Sequence, residues 1–547
     1  MRLRISALAA ALICCISCID TNNRLGGTLI PLDQSYQIFL EDSLFLKDIK
    51  ISWADSLSGY SQDRIVVGAI RDEAYGLTTR DCSLTLVPIV QGEDTLLFGE
   101  SPIFKNFHFC AAADSGSVAA YDQASILQNI YVYEMKEPLK QDKSYSCNTV
   151  IEHKDKIISQ GIPVFGASDS LSFNFSKEFG EKFFSMTKED LRSLTAYTKK
   201  FPGIYIKSEK PVGLGGRINI FDLQLDYDSD YGSLDGSFAK LNFSGIYDGE
   251  RKDSTMYFYF SPSKIFDIDS LLTNGTVGSY PQYCLNLTGH ETKDRTGAAK
   301  EKISIEGGGG LKPIISALEL KHLAEDVISS YGGVPSEVVL NKASLIFPFD
   351  FPEDYNEVDD FWPDYLSPTC RIKSGDITTF MGLSDSSSSS ENQGDINRSK
   401  DCYAPDITYH LQEILKIDES DTSNSKTKKL LEGEYDIWLL IMANEVVTTT
   451  TSGNSDMSEY YSYLAYQSYY NSMYGGYGYG GYSDYYTNYY SYMMMAQYAS
   501  SSSTSTSVSV QLDKDRYYKA EINGPEYPVK SLRPRMEIVF SIPDSIL

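Results

Sequence analysis

The residue with the clearest chemical setting is Cys18. Arg2 and Arg4 come first, then an apolar run from Ile5 to Ile16, then Ser17 directly before the cysteine. A short basic start, a short apolar stretch and a small residue before a cysteine is the layout of a bacterial lipoprotein signal. It predicts a signal peptide over residues 1–17 and a mature chain that starts at Cys18 and carries lipid there, with palmitate-type acyl chains. Each buried CH₂ of such chains contributes about 0.8 kcal/mol to membrane attachment. The apolar run is too short for a spanning helix, which needs ~20 residues. Cys15 stands three residues before Cys18, where these signals usually carry Leu, and plain secretion is the alternative reading.

Six further cysteines follow: Cys82, Cys110, Cys147, Cys284, Cys370 and Cys402. In an oxidising compartment an even count permits three disulfides. Cys370 with Cys402 is the preferred pair, because it would close the loop holding Ser384 to Ser390. Six buried free thiols are the alternative, since the chain is long enough to fold unstapled. No two of the six have CxxC spacing, so neither zinc nor dithiol redox chemistry is indicated.

The other chemistry-bearing residues lack a productive pattern. The five histidines are His108, His153, His290, His322 and His410, with no HExxH pair, and there is no G-x-S-x-G. Asp226, Asp228 and Asp230 open like a calcium loop, but the positions that need Gly and Glu hold Tyr231 and Ser237. Gly307–Gly310 is followed by Leu311, Lys312 and Pro313, not by the ending of a phosphate loop, so it reads as a turn. We therefore expect no enzyme, no metal and no cofactor.

What remains is a contact surface. From Tyr460 to Tyr498 there are sixteen tyrosines among Gly, Ser and Asn. Tyrosine pairs an apolar face with a polar tip, suited to stacking on sugars or packing on a protein. Tyr474, Tyr477, Tyr479 and Tyr482 are the candidate contacts, together with Trp362 in the acidic, aromatic stretch 350–365.

The elements that must hold these residues are mostly short strands. Net charge is −26 over 547 residues, which disfavours nucleic acid as a partner and leaves ample length for a core. Runs rich in β-branched and aromatic residues recur at 36–40, 49–53, 65–70, 83–90, 130–135, 204–206, 218–225, 239–246, 254–260, 338–347, 435–447, 508–512 and 536–542. Helices are expected after Ser176, after Thr187, over 314–331 and around 406–417. The fold class is mainly β: antiparallel sandwich- or barrel-like domains with a few short helices and long low-complexity loops. The expected organisation is a lipidated tether over 18–33, an N-terminal β domain over 34–165, a middle β-rich region with helices over 166–300, and a C-terminal β-rich region over 301–547. The last carries polar loops at 384–400 and 419–428 and a Tyr/Gly-rich insertion over 452–503 at the tip of a hairpin.

Several segments, taken in order, resemble a large family of Bacteroidota outer-membrane lipoproteins known only as a domain of unknown function. They are Leu25-Gly26-Gly27-Thr28-Leu29-Ile30-Pro31, Val67-Gly68-Ala69-Ile70-Arg71-Asp72 with Tyr75-Gly76, and Tyr131-Val132-Tyr133-Glu134-Met135. Phe201-Pro202-Gly203-Ile204-Tyr205-Ile206, Gly308-Gly309-Gly310-Leu311, Leu340-Asn341-Lys342-Ala343-Ser344-Leu345 and Asn523-Gly524 complete the set. The resemblance covers nearly the whole mature chain. It implies a β-rich lipoprotein of the outer membrane, and it carries over no enzymatic residues. The expected role is a surface-exposed, non-enzymatic binding or accessory component of an envelope complex for transport or outer-membrane assembly. Its partners would be the bilayer, through the N-terminal lipid, and an outer-membrane barrel protein or other envelope lipoproteins. A glycan-binding lipoprotein is the alternative, and a glycan hydrolase comes third.

Overall fold

A computed structural model describes residues 36–450 and 504–543, apart from 62–63, 90–96, 122, 141–142, 144, 192–193, 224, 229–232, 261–283, 292–294, 354, 375–376, 384 and 386–393. Strands make up 50% and helices 16%, so the fold is mainly β, with antiparallel sheets that include a half-barrel and a few short helices. Most of the strand-rich runs of the sequence form strands, because their β-branched and aromatic residues fit a pleated, half-buried surface, whereas the run 83–90 is split between Gly76–Leu84 and Val87–Ile89 and the run 218–225 breaks after Asp222.

The half-barrel is a 14-stranded antiparallel sheet. It joins segments that the sequence divided at residue 165. The Gln128–Met135 strand pairs with Ile204–Ser208, with Val132 opposite Ile206, and Glu100–Ala113 pairs with Phe238–Tyr247, with Phe109 opposite Ala239. Strands on both sides of residue 165, from Arg64 to His290, therefore pair in one sheet, with Leu225–Asp228 and Ser233–Gly236 pairing apart from it. Its core is aromatic. Phe107 meets Phe175 at 4.6 Å, Phe183 at 5.3 Å and Phe258 at 5.1 Å between ring centroids, and it stacks on Phe179 at 6.2 Å. Phe179 and Phe183 arrive on the helical turns 177–185. Ser176 caps the first of these, accepting the Phe179 N–H at 3.3 Å. The following turn has the expected capping box, with Thr187 N–H on Asp190 at 2.8 Å and Asp190 N–H on Thr187 at 3.3 Å.

The second body is built from both ends of the chain. The Tyr36–Phe45 strand pairs with the last strand, Arg535–Pro543, and Ile49–Trp53 pairs with Leu311–Ile315. A five-stranded and a seven-stranded sheet enclose one hydrophobic core, which the Ala317–Ser330 and Thr408–Leu415 helices help to fill. Residues 36–53 thus belong with 297–543, not with the half-barrel. The chain leaves this body after Trp53, builds the half-barrel, and returns where Gly297 pairs with Ile51.

Two expected elements differ. The helix expected from Ile314 starts at Ala317, because Leu311–Ile315 continues as a strand and Ser316 caps the helix. Gly332 ends it at φ +84, as Gly332-Gly333 suggested. The polar loop 419–428 is ordered by its own side chains. Asp418 and Asp421 accept Ser420 and Ser423 N–H groups at 2.9 and 3.2 Å, and Asn424 caps the Ser425–Leu431 helix.

The tyrosine tract lies outside the described residues, but its boundaries do not. The Ile437–Thr450 and Thr504–Leu512 strands pair from Met442 opposite Leu512 to Thr450 opposite Thr504. The Tyr365–Ser374 strand flanks Ile437–Thr450 on its other side only up to Met442.

Phe107 touches four other rings, so Phe107→Ala should lower half-barrel stability by about 3–5 kcal/mol. Urea unfolding followed by near-ultraviolet circular dichroism reads this as an early loss of aromatic signal.

Candidate functional site

A buried group of ionisable side chains lies where the two bodies meet, around Gly307–Gly310. The Lys302–Glu306 strand runs into this turn and the Leu311–Ile315 strand leaves it. Gly310 N–H closes the turn on the Gly307 carbonyl at 3.0 Å. Lys312 then folds back, and its Nζ donates to the carbonyls of Glu306, Gly308 at 3.1 Å and Gly310 at 3.4 Å. A phosphate loop presents N–H groups to an anion. Here carbonyls converge on a cation, so the turn expected from the sequence is what forms.

Glycine is required by close approach. Gly308 has φ +57, and a Cβ there would run into the Arg80 guanidinium. A Cβ at Gly309 would lie 2.5 Å from Cys147 Sγ, and one at Gly307 would lie 2.6 Å from the Arg516 carbonyl oxygen. Arg80 and Cys147 belong to the half-barrel segment, so the bare backbone of the turn lets the two bodies touch.

Arg80 is 2% exposed and Glu306 3%. Arg80 Nη1 donates to Thr288 Oγ1, while its Nε and Nη2 and Glu306 Oε1 have no hydrogen-bond partner among the described residues. His290 Nδ1 lies 3.4 Å from Glu306 Oε2, and its ring packs on Trp53 at 4.8 Å. Burial dominates the titration of the group. It pushes Glu306 up to about 7, Lys312 down to about 7 and His290 down to about 3, and it lowers Arg80. His290 is therefore a neutral imidazole at pH 7.

Further polar links extend the junction. Lys519 Nζ donates to Asp72 at 2.9 Å, and the Tyr75 hydroxyl donates to the Ala520 carbonyl at 2.6 Å. Asn286 accepts the Val66 N–H at 3.0 Å and donates to Asp515 at 2.8 Å. A carboxyl held near neutrality beside a neutral imidazole has the composition of a proton-transfer pair. Its position is that of a clasp, because Glu306 and Arg80 are buried where the two bodies meet.

One trio among the described residues has metal-ligand spacing: His322, Glu325 and Glu419, with ligand atoms within 4.8 Å of one another. Lys321 already pairs with both carboxylates, donating to Glu325 and lying 3.2 Å from Glu419.

The residues singled out from sequence do not gather at the junction. Cys18 and Tyr474, Tyr477, Tyr479 and Tyr482 lie outside the described residues. Trp362 is 6% exposed and packs edge-on against Phe349 at 4.9 Å, so it is a core residue and not a surface contact. The Cys370–Cys402 disulfide is not formed. Cys370 sits opposite Ile437 in one sheet and Cys402 opposite Pro348 in the other. All six of the later cysteines are free thiols, and five of them are buried. Arg80, Glu306, His290 and Lys312 were missed as a group. The one signal was the glycine run with a lysine two residues beyond it.

Comparison with protein-family models, with curated proteins and with solved structures gives no match for this chain.

Two outcomes follow from the junction. The folded-state pKa of Glu306 is raised, so its contribution to stability is full below the ordinary carboxylate range and is lost as pH rises to about 7. Lys312 is depressed and acts oppositely, its contribution being lost as pH falls from the ordinary lysine range to about 7. Glu306→Gln should therefore flatten the fall in urea midpoint between pH 5 and pH 7 while leaving the rise above pH 7. Separately, alkylation of the denatured, unreduced protein should tag all six later cysteines, as read by peptide mass spectrometry.

Proposed function

We propose that this chain is an exported lipoprotein, held at the outer membrane by lipid on Cys18 and facing the cell exterior. Its role is a non-enzymatic binding or accessory one in an envelope complex. The observation that carries this reading is the order of residues 2–18: basic residues, a short apolar run, Ser17 and then Cys18. The ordered resemblance to Bacteroidota outer-membrane lipoproteins supports the compartment. The partner class is an outer-membrane barrel protein or another envelope lipoprotein.

The contact module in this reading is the tyrosine tract. It is supported by the pairing of Thr450 with Thr504, which brings both ends of residues 451–503 to one point. From Ala443 to Thr450 the ribbon extends past the last rung shared with Tyr365–Ser374, a reach of roughly 25 Å at ~3.4 Å per residue. The same placement suits stacking on a polysaccharide, which is the second reading.

Cys18→Ala should move the protein from the outer-membrane fraction to the soluble envelope fraction, and unchanged fractionation refutes the anchor. Co-purification in mild detergent with and without residues 451–503 separates the two contact readings. Loss of a stoichiometric protein partner on deletion supports the accessory role. Loss of polysaccharide retention with no protein partner supports the glycan role.

A further inference from the structure

The Tyr36–Phe45 strand carries an apolar row on its solvent face. Tyr36, Ile38 and Leu40 alternate along it, so they leave the same face of the sheet. They are 52%, 68% and 64% exposed. Phe39 between them turns inward, with its ring 4.6 Å from Tyr331 and 5.6 Å from Phe540. An antiparallel sheet with one solvated face normally sets polar residues there.

Apolar neighbours flank the row on either side of Ser541, which lies opposite Ile38 and donates to Asn341, and Lys342 lies opposite Val539. Val539 lies opposite Leu40 and Pro543 opposite Tyr36 on the last strand. Val339, 49% exposed, follows on the next strand, opposite Ser541. The acids begin only at the far end of the first strand, with Glu41 and Asp42. In a chain of net charge −26, an apolar patch confined to one end of one sheet calls for a covering.

The chain itself indicates what covers it. Residues 1–35 lie outside the described structure and end at Tyr36, the first residue of the row. Eighteen positions separate Tyr36 from Cys18, at most about 60 Å of extended chain. The tyrosine end of the row is thus the point of the described protein tied most closely to the lipid.

We propose that Tyr36, Ile38 and Leu40, with Val339, Val539 and Pro543, form a membrane seat that rests in the headgroup–acyl boundary of the bilayer. This rests on the proposed Cys18 anchor and adds a second attachment to it. The acyl chains on Cys18 hold the protein at the bilayer, and an apolar seat beside the tether fixes how the body sits on it. A tethered patch meets the surface at high effective concentration, so even a small seat is occupied. Tyr36 suits the boundary because its ring is apolar and its hydroxyl stays wet. The row runs about 14 Å along the sheet, and a shallow insertion of ~5–10 Å would take up all three side chains.

The test uses the full-length lipidated chain, purified from membranes and reconstituted into phosphatidylcholine vesicles with ordinary or brominated acyl chains. Ile38→Trp places a reporter in the row. Val212→Trp, at a position 99% exposed on the half-barrel, is the control. After subtraction of the wild-type signal from Trp53, Trp362 and Trp438, the Ile38→Trp emission should shift to the blue and be quenched by brominated lipid, with Val212→Trp unaffected. Full emission from Ile38→Trp on vesicles that still carry the protein overturns the seat and leaves the anchor standing. In that case a dimer in detergent assigns the row to a second copy, and protection of a monomer assigns it to Leu29–Leu32 of the same chain. Failure of the protein to float with vesicles, with no acyl mass on Cys18, overturns both.

Discussion

One buried cation sets the geometry of the junction. Lys312 is surrounded by the carbonyls of the turn that precedes it, so the four-glycine run is wound around its ammonium group. That winding fixes where Gly308 and Gly309 lie, and hence where Arg80 and Cys147 can approach. The half-barrel is an insertion between Trp53 and Gly297. Beyond the two chain crossings it is tied to the other body by the clasp around Glu306, by the Lys519–Asp72 and Asn286–Asp515 links, and by an apolar cluster that holds Tyr517 with Val66, Ile70 and Ile218. Desolvating this many charged groups costs several kcal/mol per ion. The clasp is therefore weak evidence of net stability, and the large apolar cores lie on either side of it.

Much of the fold was legible because the signals were local. Ser176, the Thr187–Asp190 box and Gly332-Gly333 each act within a few residues, and each does what its chemistry predicts. The strand runs were equally clear, as was the hairpin that bounds the tyrosine tract. The 14-residue Glu100–Ala113 strand was not legible, because Lys105 is an extra residue: Asn106 pairs with Asn242 and Phe104 with Phe243. That bulge brings Phe104 to the face of Phe107 and Phe109 at an odd spacing, so the two-residue period is broken in the sequence. The polar loop 419–428 misled in the other direction, since composition alone hid three side-chain-capped turns.

Domain grouping and the candidate site were hidden for a different reason. Nothing near Tyr36 announces that its strand pairs with residues five hundred positions later, because β-pairing depends on partners and not on the strand itself. Trp362 was a candidate contact because it stands in an acidic, aromatic stretch, but it packs on Phe349 in a core that also holds Tyr403. The clasp is the extreme case. Arg80, His290 and Glu306 are unremarkable singly and are separated by up to 226 positions. Only the Gly307–Gly310 run recorded their meeting, as a demand for space.

The Thr450–Thr504 rung has an evolutionary consequence. It closes the loop before the tract begins, so the fold does not depend on what lies between. The entropy of a closed flexible loop grows only as the logarithm of its length, about 0.6 kcal/mol for each doubling. Tyrosine-glycine units can then be duplicated or deleted at that tip with little penalty to folding. The β framework on either side of that rung therefore tolerates changes of length at the tip.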